Sequence, residues 1–131
     1  MIPKFRAWDK NTNDMVDVKT IDLEKDGSIG CIVDYNGINL DVSECILMQS
    51  TGLKDLNGVE IFEGDIVSVR NHPFQKTESS VGIEIDGDYK VSWNEYDLTW
   101  CAGNLLLARI KPYVTVIGNI HENPELLEGT E

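Results

Sequence analysis

Two acids separated by one glycine, Glu63-Gly64-Asp65, are the nearest thing to a catalytic pattern in this chain. Carboxylates two residues apart share one side of an extended strand, a placement that general acid/base chemistry can use. Such chemistry also needs a shifted pKa, and so a partly desolvated pocket. Gly64 favours another reading, in which both acids sit in solvent or Asp65 caps a turn. The two histidines, His72 and His121, share no informative spacing with these acids or with each other. Three cysteines, Cys31, Cys45 and Cys101, are an odd number with no CxxC step. Cys31 and Cys45 lie in apolar segments and read as buried free thiols in a reducing cytoplasm. Cysteines and histidines together match no structural zinc spacing. No GxGxxG, P-loop, nucleophile elbow or HExxH motif occurs. No catalytic, metal or cofactor residue is therefore expected.

A second group of side chains suits contact better than catalysis. Trp93, Tyr96 and Trp100 stand close in sequence and could stack bases or sugars. Platforms for nucleic acid come with a basic groove, which this region lacks. A core role or a self-association surface fits these aromatics better. The polar segment 71–80 reads as a loop, with His72 and Phe74 as its distinctive side chains. These five residues (His72, Phe74, Trp93, Tyr96 and Trp100) are the candidate interaction surface.

Charge narrows the partners. Asp and Glu number 23 against 11 Lys and Arg, a net charge of −12. Neutralising phosphates dominates nucleic-acid affinity, so generic DNA binding is disfavoured. A negative field attracts basic partners instead. No apolar run approaches the roughly 20 residues that cross a membrane, and the N-terminus has no signal-peptide core. A cytoplasmic protein is expected. At 131 residues the chain is long enough to bury a core as a single domain over 1–131. Sub-layers at 1–50 and 51–123 are conceivable, with a short helical turn and tail over 124–131.

The elements that must hold these residues read as short antiparallel strands. Residues 2–8 and 15–23 are strands around a turn-rich loop at 9–14. Val16 and Val18 are out of step with Ile21 and Leu23, which predicts a bulge between them. Ile29, Cys31, Val33 and Tyr35 alternate, Asn36-Gly37 turns the chain, and Ile38, Leu40 and Val42 alternate back. That pattern puts Asp34, Asn39 and Asp41 outside. Ser43-Glu44 begins either a loop or one helical turn, and a strand follows at 45–49. Residues 47–69 organise the chain, with turns at 54–58 and 63–65 between apolar runs. A second hairpin pairs 81–85 with 89–93 around Asp86-Gly87-Asp88. Residues 105–110 are continuously apolar and so buried on both faces or in an interface. A last strand covers 113–120, and Asn123-Pro124-Glu125 starts one helical turn. The fold class is mainly β: small curved sheets, or an SH3-like or barrel-type arrangement, with a few short helical turns.

The stretch TGLKDLNGVEIFEGDIV at 51–67 resembles the signature of the YopX family of phage and prophage proteins. FRAWDK at 5–10 is similar to that family's opening, and VIGNIHENPEL at 116–126 to its closing motif. Ser50 and His121 stand where the family pattern has aromatic residues. The resemblance implies a phage-encoded, mainly β, self-associating protein, and brings no established activity or catalytic residue. The expected function is a non-enzymatic accessory module that forms a homo-oligomer and binds a host or phage protein. The alternatives are an acidic mimic of nucleic acid that inhibits a host DNA-binding protein, and a small-ligand or oligonucleotide-binding β-barrel.

Overall fold

Three turns with one backbone pattern shape the sheets. In each, the N–H of a first residue donates to the carbonyl oxygen four positions on, and the glycine one step earlier takes positive φ and donates its N–H back to the first residue's carbonyl. They are Glu24 to Ser28 with Gly27, Asp34 to Ile38 with Gly37, and Asp55 to Val59 with Gly58. Asp-Tyr-Asn-Gly-Ile and Asp-Leu-Asn-Gly-Val share a further device. Asp34 Oδ1 accepts from the N–H groups of Asn36 and Ile38, and Asp55 Oδ1 from those of Asn57 and Val59. Only the glycine is left-handed, not the asparagine before it. These are therefore type I turns closed by a glycine bulge, rather than two-residue turns with both residues at positive φ.

The structure is a computed structural model that describes residues 4–71 and 86–127. The chain divides into two units, Met1–Ser50 and Thr51–Glu131. In the first, β1 (Phe5–Asp9), β2 (Asp14–Leu23), β3 (Ile29–Asp34) and β4 (Asn39–Asp41) form a meander. The first half of β5 (Cys45–Lys54) pairs with β1. The expected bulge is present, since the β2–β3 register shifts between Val18 and Thr20. Ser43-Glu44 takes the helical option. Val42–Glu44 is one 3-10 turn with a capping box, in which Asp41 accepts from Ser43 N–H and Glu44 accepts from Asp41 N–H. Ala7, Ile32, Leu40 and Cys45 are this unit's core.

The β3–β4 hairpin forms as expected, with Leu40 buried and Asn39 and Asp41 outside, but β3 presents its other face. Ile32 and Leu40 are cross-strand partners and are buried with Asp34, whereas Tyr35, Ile38 and Val42 are exposed. Asp34 turns inward because its carboxylate serves its own turn, so burial leaves no polar atom stranded there. Alternating apolar side chains could not reveal this.

The second unit carries the other sheet, in the order β10-β9-β8-β7-β11. Its strands are β7 (Asp65–Val69), β8 (Gly87–Asn94), β9 (Thr99–Ala102), β10 (Leu105–Leu106) and β11 (Val114–Asn119). β6 (Glu60–Phe62) lies beside the later part of β5, at the end of the order β4-β3-β2-β1-β5-β6. Both orders are linear, so the sheets are open and no closed barrel forms among the described residues. The core gathers Ile61, Val67, Val69, Val91, Ala102, Leu107, Ile110 and Val114. Two expectations change here. Gly87 and Asp88 do not turn the chain: they open β8, which pairs with β7 in the register Val69 to Gly87. The segment 81–85 lies outside the described residues. Residues 105–110 are not one buried strand. β10 ends at Leu106, and a one-turn helix α1 (Leu107–Ile110) follows, burying Leu107 and Ile110 while Leu106 stays partly exposed. The i,i+3 spacing of these two residues serves a helix as well as their run of apolar neighbours serves a strand.

Candidate interaction surface

The buried carboxylates are turn acceptors. Asp9, Asp34, Asp55 and Asp65 are all buried. Asp9 Oδ1 accepts from Asn11 N–H at 2.9 Å. Asp65, at 1% exposure, accepts from Phe62 N–H at 2.8 Å, while Gly64 takes φ of 85°. So Asp65 caps its turn instead of facing Glu63 across a strand. Asp55 does most. Beyond its own turn, its Oδ2 accepts from Val116 N–H at 2.9 Å, and Leu56 N–H donates to Val114 carbonyl oxygen at 3.0 Å. The turn is thereby fastened along the outer side of β11. A buried carboxylate costs heavily unless such donors meet it.

His121 belongs to a closing turn after β11. Its backbone N–H donates to Asn119 Oδ1, which also accepts from Glu122 N–H, while Asn119 Nδ2 donates to Glu122 Oε1 at 2.7 Å. Asn123 stands before the 3-10 turn Pro124–Leu127, where its carbonyl oxygen accepts from Leu126 N–H, and its Oδ1 accepts from Asn119 N–H and braces the strand end. The three cysteines are free. Burial pushes the Cys45 thiol up, helped by the nearby charge of Asp9. The Cys31 thiol is also raised, first by burial and then by its hydrogen bond to Asp22. Raised thiols make poor nucleophiles. Among the described residues no three His, Cys, Asp or Glu side chains gather as a metal ion requires. Nor is any described helix long and apolar enough to cross a membrane.

The aromatic candidates collect at one hairpin. Trp93 on β8 and Trp100 on β9 are direct cross-strand partners, with ring centroids 5.2 Å apart at an interplanar angle of 71°. This edge-to-face pair contributes about 1 kcal/mol beyond its area. Trp100 packs against the core, as expected, while Trp93 is 44% exposed. Tyr96 lies in the connecting turn and is 99% exposed, so it has no core role. The turn is held by Asn94 Oδ1, which accepts from the N–H groups of Tyr96 and Asp97. Leu98 completes it at φ of 52°, a left-handed conformation unusual for leucine, and is 72% exposed. Ser92 and Cys101, the next cross-strand pair, line an open groove of about 610 Å³ together with Trp93, Asn94, Glu95 and Tyr96. Sequence reasoning missed Leu98, Glu95 and Asp97. The available signal was charge, because residues 91–108 contain no Lys, Arg or His. His72 and Phe74 lie outside the described residues.

The YopX protein family model matches residues 4–128. The chain belongs to the YopX family. Among solved structures, this YopX-family chain is similar to protein EF1440 from Enterococcus faecalis, known from a crystal structure. The two are 31% identical with a TM-score of 0.71, over 98% of this chain and 99% of that one. A search of curated proteins finds no match. Neither the family's description nor the structure's names an activity.

Proposed function

We propose that this YopX-family chain is a non-enzymatic phage or prophage accessory protein that acts by binding protein, both a second copy of itself and a host or phage partner. The observation that carries the partner-binding part of this reading is the tip of the β8–β9 hairpin. There Trp93, Tyr96 and Leu98 hold apolar surface in solvent. Exposed aromatics grouped at one site are what interface cores are made of. The use of Asp9, Asp34, Asp55 and Asp65 as turn acceptors supports a role without acid/base chemistry. It also weighs against mimicry of nucleic acid, which needs its carboxylates in a surface stripe.

The test joins light scattering after size exclusion with affinity capture from bacterial lysate, with and without nuclease. Wild type is expected to run as an oligomer and to retain a protein after nuclease treatment. Tyr96→Ala with Leu98→Asp should lose that protein while keeping its circular dichroism spectrum. A strict monomer that retains nothing would overturn the reading.

A further inference from the structure

The hairpin tip combines aromatic surface with one sign of charge. Tyr96 sits between Glu95 and Asp97, all three exposed, and residues 91–108 carry no basic side chain. The groove beside them is lined by Ser92, Trp93, Asn94, Glu95, Tyr96 and Cys101. The Asn94 side-chain oxygen is already engaged by the turn, which leaves the Glu95 carboxylate as the charged group of the lining.

We propose that this tip is a docking site for a cationic segment of a partner protein. An Arg or Lys side chain lies in the groove against the Tyr96 ring, with its charge met by Glu95 and Asp97. The apolar residues beside it cover Leu98 and Trp93. Aromatic faces attract cations, and carboxylates at the rim add direction and a faster encounter. The proposal deepens the partner-binding reading and rests on it. It also says which occupant the tip refuses. A second copy would bring a charge of −12 and its own Glu95 and Asp97 against these, so the chain's own assembly belongs to another surface.

The experiment is a tryptophan-fluorescence titration of the whole chain with a short arginine-rich peptide, a glutamine-substituted control and a glutamate-rich control. Saturable binding of the arginine peptide alone is expected. Affinity should fall at least about tenfold in Tyr96→Ala and in Glu95→Gln with Asp97→Asn. It should stay unchanged in Asp14→Asn with Asp17→Asn, which removes the same charge from exposed positions of β2. An equal loss from the β2 pair would reduce the effect to general attraction by a polyanion and overturn the site. Equal binding of the glutamine peptide would overturn the charge argument. A tip-dependent protein captured from lysate without any binding of the arginine peptide would sink this inference and leave the broader reading standing.

Discussion

Removing the Asp55 carboxylate would strand the N–H groups of Asn57, Val59 and Val116 together. Asp55→Ala is expected to cost about 3 kcal/mol in a urea titration, because each hydrogen bond to a buried charge matters most when its partner cannot reach water. Asp55→Asn keeps one oxygen and should cost about half as much. A loss below about 1 kcal/mol for the alanine variant would mean that the turn holds without its clamp. Asp41 offers a test by pH. Hydrogen bonds from the Ser43 N–H, and then from its hydroxyl, hold the Asp41 carboxyl below its ordinary value of 3.8. The Ser28 hydroxyl, and then its N–H, do the same for Asp26. Each pKa is lower in the folded than in the unfolded chain. Their stabilisation is therefore complete above the ordinary carboxylate value and is lost as pH falls through the lowered one. Asp41→Asn keeps an acceptor for Ser43 but cannot titrate. Its urea midpoint should drop less than wild type between about pH 5 and about pH 3.

At the scale of elements, turns were the most readable part of the sequence. Asn36-Gly37 and Asn57-Gly58 announced both reversals, because glycine alone takes the left-handed position cheaply. Facing was less readable. Asp34 looked external because it falls between the alternating Val33 and Tyr35, and its hydrogen bonds to the turn are what make its burial tolerable. Residues 105–110 satisfied strand and helix periods alike, and burial of Leu107 with Ile110 selected the helix. The candidate surface was legible as three aromatics, but exposure of Tyr96 and Leu98 follows from where the hairpin ends, and no local pattern encodes that. Gly58 and Gly103 both have positive φ, yet they should respond differently to alanine. A Cβ at Gly58 meets nothing within 4 Å, whereas at Gly103 it would lie 2.7 Å from Tyr89 Cδ1. Gly58→Ala should cost about 1 kcal/mol by thermal unfolding, from backbone strain alone. Gly103→Ala should cost clearly more, and Gly103→Ala with Tyr89→Ala should recover part of the difference.

For the whole molecule, the net charge of −12 acts on stability as well as on partners. Self-repulsion opposes compactness, and salt screens it over about 10 Å at 0.1 M. The melting temperature is expected to rise by a few degrees as sodium chloride increases from about 0.01 M to about 0.15 M. A fall would indicate that attractive ion pairs, such as Arg70 with Asp88, outweigh the repulsion. The strands also limit how copies can meet. β4 and β6 are three residues long and β10 two, and the Asp55 turn fastens itself along β11. Short and covered edges discourage strand-to-strand addition, so assembly should proceed through side-chain surfaces.

The glycine N–H groups of the two Asp-x-Asn-Gly turns also bear on how the protein ages. An Asn–Gly step loses ammonia when the glycine nitrogen attacks the asparagine side-chain carbonyl carbon, and water then opens the succinimide to aspartate or isoaspartate. In the folded chain both nitrogens are committed, Gly37 N–H to the Asp34 carbonyl at 3.1 Å and Gly58 N–H to the Asp55 carbonyl at 3.0 Å. Ring closure therefore waits for each turn to open, and its rate counts those openings. Peptide mass spectrometry after incubation should find deamidation slow in buffer and fast in urea at Asn36 and Asn57 alike. In buffer Asn57 should be the slower of the two, because the Asp55 clamp to Val116 keeps its turn shut.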